Sequence, residues 1–113
     1  MPQFIFSYQH PAGYKTKTDK ETTAKWVAFF ETIGDSIVDP GQPVFERTAI
    51  GEISTGTQLG GYSVVEAASL DDAVSLAEHC PTLSYGGGVQ VGQLAELPPD
   101  HPASRLKEQL ANR

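Results

Sequence analysis

Cysteine is almost absent: Cys80 stands alone in 113 residues, which excludes an internal disulfide and a thiolate metal cage. Long hydrophobic runs are missing too. No stretch approaches the roughly twenty apolar residues that span a bilayer, so no membrane anchor is expected. Met1-Pro2-Gln3 carries no basic leader, and the expectation is a cytoplasmic protein without a signal peptide. Positive charge is scarce: 8 Lys and Arg face 14 Asp and Glu, a net charge of −6. Nucleic-acid binding draws its affinity from clustered Lys and Arg. The densest basic group here, Lys15, Lys17, Lys20 and Lys25, reads as a solvated surface, so no nucleic-acid partner is expected.

Familiar chemical motifs are lacking as well. There is no G-x-S-x-G or C-x-x-C nucleophile motif. His10, His79 and His101 lie too far apart for metal-ligand spacing, and neither a metal nor a cofactor is implied. Gly86-Gly87-Gly88 precedes a strand, whereas a phosphate cradle opens a helix, so it reads as a turn. His79 falls near the end of a helix, where the dipole favours a cation, and His101 lies in a Pro-rich tail. Cys80, followed by Pro81, reads as a small buried hydrophobe rather than a nucleophile.

What is present is the composition of a globular domain, 39% hydrophobic and 19% charged. Phe4, Phe6 and Tyr8 alternate with Ile5, Ser7 and Gln9, the period of a strand that His10-Pro11-Ala12-Gly13 should break. Thr18-Asp19-Lys20-Glu21 has capping-box spacing and predicts a helix to about Ile33, with Trp26, Val27, Phe30 and Ile33 on one face and Gly34 as its left-handed stop. Ser36-Ile37-Val38 predicts a short strand, closed by the turn Asp39-Pro40-Gly41. Residues 44–58 form a hairpin or a long loop.

Tyr62 to Ala67 reads as a buried strand after Gly60-Gly61. Ser69 caps a second helix, with a Leu70, Ala73, Val74 and Ala77 stripe, ending at Cys80-Pro81. Val89 to Gly92 is the last strand. Residues 1–96 form the domain, and 97–113 a Pro-rich linker with a short helix from Ala103 to Ala111 that must dock or fray.

This order is the α+β, ferredoxin-like βαββαβ fold: a four-stranded antiparallel sheet with two helices on one face. The other face keeps apolar residues without cover from this chain, and a second copy packed sheet to sheet would bury them. A homodimer is the expected partner state. The topology gathers His10, Asp39, Tyr62 and the start of the first helix at one edge. His10 with Asp39 is the candidate acid–base pair, since imidazole titrates near neutrality and a carboxylate orients it. Tyr8, Trp26 and Tyr62 are candidate walls of a ligand cleft. The alternative is that both are ordinary turn residues capping backbone groups.

Gly60-Gly61-Tyr62-Ser63-Val64-Val65-Glu66-Ala67, Ser69-Leu70-Asp71-Asp72-Ala73, Cys80-Pro81 and Gly88-Val89-Gln90-Val91 resemble the second half of YCII-related proteins, including their DGPF branch. The aromatic first strand and the Trp26 helix resemble the first half, so the likeness spans about residues 3 to 95. It implies a dimeric α+β barrel. Some members of that family carry a His on the first helix near an Asp, as an acid–base pair in a cleft. No histidine lies between Thr18 and Gly34 here, and Ser54-Thr55-Gly56-Thr57 stands where the DGPF signature would. The functional expectation is a dimeric small-molecule-binding or accessory module. The alternative is a cofactor-independent lyase, isomerase or oxygenase using His10 and Asp39, and a third reading is a structural interaction partner.

Overall fold

Phe4, Phe6 and Tyr8 set the layers of the molecule. They lie on β1 (Gln3–Pro11), whose residues alternate half-buried and buried along its whole length. The computed structural model describes residues 1–113. After β1 come α1 (Lys20–Thr32), β2 (Ile37–Asp39), β3 (Thr57–Glu66), α2 (Leu70–Ala77), β4 (Gly88–Gln93) and α3 (Pro102–Ala111). Short 3-10 turns at Gly34–Ser36 and Pro81–Tyr85 link α1 to β2 and precede β4.

The sheet order is β2-β3-β1-β4, with every neighbouring pair antiparallel. This is the expected α+β, ferredoxin-like arrangement, with a third helix added. Phe4, Phe6 and Tyr8 point to the face where Phe29 and Ile33 of the first helical segment and Ala73 and Ala77 of α2 complete the core. On the opposite face Ile5 pairs with Val64 and Gly92, and Ser7 with Tyr62 and Gln90. Neither α1 nor α2 covers that face. No helix is long and apolar enough to cross a membrane.

Several boundaries differ from the sequence reading, each for a local reason. Pro11 and His10 belong to β1 rather than to a turn, because β3 extends back to Thr57 and gives them strand partners. The cap of α1 is Asp19, whose carboxylate accepts from the Thr22 amide at 3.2 Å, instead of Thr18. Ile33 ends α1, and Gly34 opens the following 3-10 turn without a left-handed φ. On α1 the inward face is Trp26, Phe29, Phe30 and Ile33, while Val27 turns outward. α2 stops at Ala77, and its buried side is Ala73 and Ala77, with Leu70 and Val74 exposed. Residues 44–56 are loop, tied to the sheet by the Pro43–Gly61 bridge. Leu106 and Leu110 of α3 remain exposed.

Cys80 is buried, and burial pushes its thiol up to about 12, so it stays a protonated core group at neutral pH. Phe6 has no solvent exposure and meets Tyr8 edge to face at 6.4 Å. Truncating such a ring removes its transfer energy and leaves a cavity. Phe6→Ala should cost about 3–5 kcal/mol in urea unfolding; a loss under about 1 kcal/mol would mean the helix-facing layer is not packed as described.

Candidate functional site

Two glycines in the middle of β3 create the site. Tyr8 pairs with Gly61 and Gln9 with Leu59, so Gly60 is the extra residue of a bulge. A Cβ on Gly60 would overlap the imidazole of His10 at Cδ2, Nε2 and Cγ. The absent side chain is the seat of the ring. Histidine on β1 thereby faces the helices beside Tyr8, at 4% exposure, instead of starting a surface turn.

Thr82 holds the other side of the ring. Its hydroxyl is fully buried and donates to the Gln9 carbonyl at 3.2 Å, while His10 Nδ1 lies 3.1 Å from the same oxygen. With the hydroxyl proton committed to the carbonyl, the oxygen accepts from Nδ1–H. The Nδ1–H tautomer is the one that satisfies both contacts, and it leaves a free pair on Nε2. Nε2 makes no hydrogen bond within the protein, yet the sealed, unpartnered side-chain polar atoms are only Arg47 Nε and Tyr85 Oη. It is therefore open to the cavity that His10 lines. The Tyr14 ring packs on the imidazole at 4.5 Å and stacks in turn on Tyr85 at 5.7 Å.

Burial, and after it the Arg47 guanidinium, holds His10 below its ordinary pKa. The ordinary value is about 6.5, so the ring is neutral at pH 7. It can accept a proton or a hydrogen bond at Nε2.

The cavity beside it measures about 250 Å³. Tyr8, Trp26, Phe30 and Tyr14 form aromatic walls, Thr16, Thr18, Thr22 and Thr23 supply hydroxyls before and within the first turn of α1, and Pro40 to Pro43 close the far side. Tyr8 and Trp26 meet edge to face at 4.9 Å. The Tyr8 hydroxyl donates to Ser63 at 2.8 Å, and Ser63 donates to the Pro40 carbonyl at 2.7 Å. This chain pins the 40–43 wall to the sheet and leaves Tyr8 protonated, its pKa raised chiefly by burial. Gly41 has φ +71°, and a Cβ there would collide with the Tyr62 carbonyl, so only glycine lets this wall lie on β3.

Of the five residues singled out in the sequence, Tyr8, His10, Trp26 and Tyr62 line this cavity. Asp39 does not. Its carboxylate accepts from the Gly41 amide at 2.8 Å and sits on an exposed residue, so it shapes the turn that carries Pro40. The hydrogen-bond partner of His10 is Thr82, and the structure does not bring His10 and Asp39 together as a bonded pair. Tyr14, Thr82 and Arg47 are not singled out by the sequence, and Phe30 reads there only as part of the helix's apolar face. The Gly60-Gly61 pair was the available signal, since paired glycines inside a strand mark a bulge or a close approach. No cluster of three or more His, Cys, Asp or Glu is placed to hold a metal ion.

No family model and no curated protein matches the sequence. Among solved structures, the chain is similar to 5-chloro-2-hydroxyhydroquinone dehydrochlorinase from Burkholderia phenoliruptrix AC1100, in its complex with 2,5-dihydroxybenzoquinone. The TM-score is 0.57 at 18% identity, over 84% of this chain and 95% of that one. The likeness is one of fold.

The depressed pKa of His10 has a measurable consequence. The unfolded chain takes up a proton on this residue near pH 6.5, whereas the folded chain resists it until lower pH. Stability is therefore unpenalised above that value and falls as pH drops below it. Thermal unfolding from pH 7.5 to 5 should show a steeper loss for the parent than for His10→Gln; parallel curves would show that the imidazole titrates alike in both states.

Proposed function

We propose that the chain binds a small, planar, oxygen-bearing ring compound in this cavity, and that it works as a homodimer. The observation that carries this reading is the neutral, anchored imidazole with Nε2 free, set in an aromatic-walled space. The volume lies below the roughly 300–1,000 Å³ of sites for drug-sized ligands, which suits a single ring better than a larger scaffold. Trp26, Tyr8 and Tyr14 offer ring faces and edges, the threonine hydroxyls offer adaptable donors and acceptors, and His10 offers one directed acceptor. The 2,5-dihydroxybenzoquinone held by the similar enzyme is a ligand of this kind, which supports the choice of probes.

The second reading is an enzyme of lyase, isomerase or oxygenase type, without a cofactor. His10 Nε2 would take a proton from a ligand O–H or acidic C–H, becoming imidazolium as the ligand becomes an anion. Thr82 is then the positioning residue. Asp39, the acid partner suggested by the sequence, would act through the turn that places Pro40 to Pro43. What favours this reading over a passive module is the anchoring of His10 at Nδ1 together with its lowered pKa, which suit a ring that accepts a proton at Nε2.

A panel of monocyclic hydroxylated aromatics, including 2,5-dihydroxybenzoquinone, tests the site by calorimetry. At least one should bind the parent and lose about tenfold in affinity with His10→Gln, the value of a lost directed hydrogen bond. A panel that binds neither protein, or both equally, rejects the site. The dimer reading rests on the open sheet face, where Ile5 and Val64 pair at the centre. Sedimentation at micromolar concentration should give a dimer for the parent and a monomer for Ile5→Glu; a monomeric parent would leave that face without a partner copy.

A further inference from the structure

Two walls of the cavity are held by different kinds of bond. The 40–43 wall is fastened to β3 through the main chain: the Tyr62 N–H donates to the Gln42 carbonyl at 3.4 Å, the Val44 N–H donates to the Gly60 carbonyl at 3.1 Å, and Pro43 bridges Gly61. The other wall runs from the end of β1 to the start of α1 and brings Tyr14, Thr16, Lys17 and Thr18 to the cavity. Within it, residues 15–18 make no backbone–backbone hydrogen bond. A segment without main-chain pairing opens more readily than one fastened to a sheet.

Side chains take the place of the missing ladder. Gln58, opposite His10 in the β1–β3 register, grips the segment with both ends of its amide. Its Oε1 accepts from the Gly13 N–H at 3.3 Å, and its Nε2 donates to the Tyr14 carbonyl. Thr16 adds one further tie, its hydroxyl donating to the Val44 carbonyl at 2.9 Å. These bonds seat the Tyr14 ring against the His10 imidazole at 4.5 Å and the Tyr85 ring at 5.7 Å. Gly13 has φ +85°, and a Cβ there would meet nothing within 4 Å, so no neighbour clamps this end. The other end stops at Asp19, whose carboxylate fixes the first turn of α1.

We propose that residues 13–18 are a lid on the cavity, latched by Gln58, and that ligands enter and leave as this lid lifts from the fixed 40–43 wall. This rests on the cavity being the binding site argued above, and adds the route into it and the residue that controls that route. With the lid down, Tyr14 covers the imidazole and a bound ring is shut off from water. With it up, Tyr14, Thr16, Lys17 and Thr18 leave together, and Gly13 absorbs the change in backbone angle. Gln58 is not part of the cavity wall and acts through Tyr14, so it is a positioning residue.

Trp26 is the one tryptophan of the chain and lines the cavity, so its fluorescence reports access to that space without any ligand. Acrylamide quenching compares the parent with Gln58→Leu, which removes both amide bonds. Losing them shifts the open population by about tenfold, and the quenching constant should rise about twofold or more. Ser69→Ala removes the bond to the Asp72 amide that caps α2 and lowers stability away from the lid, so it should quench like the parent. Unchanged quenching in Gln58→Leu, or an equal rise in Ser69→Ala, overturns the lid. If Gln58→Leu does not fold, Thr16→Val cuts the remaining tie and should give a smaller rise, and no rise there overturns the lid as well. A rise in Gln58→Leu alone, beside a calorimetric panel that finds no ligand, rejects the ring reading and leaves the lid standing.

Discussion

The contact between the His10 imidazole and the Cα of Gly60 is the constraint from which the rest of the site follows. It needs glycine at the bulge in β3, since any other residue there would press a Cβ into the ring. It needs β1 to run past Gln9, so that His10 joins the helix-facing row begun by Phe4, Phe6 and Tyr8. It also needs a polar anchor on the far side, which Thr82 supplies by linking Nδ1 to the Gln9 carbonyl of the same strand. A buried histidine with one nitrogen satisfied and the other open is costly in a core and useful in a cavity.

The walls depend on the same strand pairing. Tyr8 lies opposite Gly61, and the missing side chain there leaves room over the sheet that the 40–43 segment and the first turns of α1 enclose. Ser63 ties the two together, receiving from Tyr8 and giving to Pro40. Asp39 and Gly41 serve this wall through the turn they make. The chemistry of the site is thus carried by β1, while β3 contributes mainly glycines, which is to say space.

Much of the fold was legible in the residues. The alternation of Phe4, Phe6 and Tyr8, the capped start of α2 at Ser69 and the β-branched run around Val64 each point to one local structure, and their order admits few topologies. The helix faces were harder to assign, because Trp26, Val27, Phe29 and Phe30 offer more apolar positions than one face can bury. The site was legible only in outline. Tyr8, His10, Trp26 and Tyr62 line one cavity and Asp39, which topology set at the same edge, does not, while a His-Pro pair resembles a turn until its strand partners are known. Thr82 and Arg47 come from segments 72 and 37 positions beyond His10, and nothing local marks them as its neighbours.

The central claim is that His10 is a neutral imidazole with its proton on Nδ1 and a free pair on Nε2. Nitrogen-15 NMR of the imidazole at pH 7, on protein labelled at histidine, reads that state directly. The account predicts for His10 a protonated, hydrogen-bonded Nδ1 and an unprotonated Nε2, with the Nδ1 signal perturbed by Thr82→Val. A charged ring, the opposite tautomer, or a mixture of tautomers averaging in solution would contradict it.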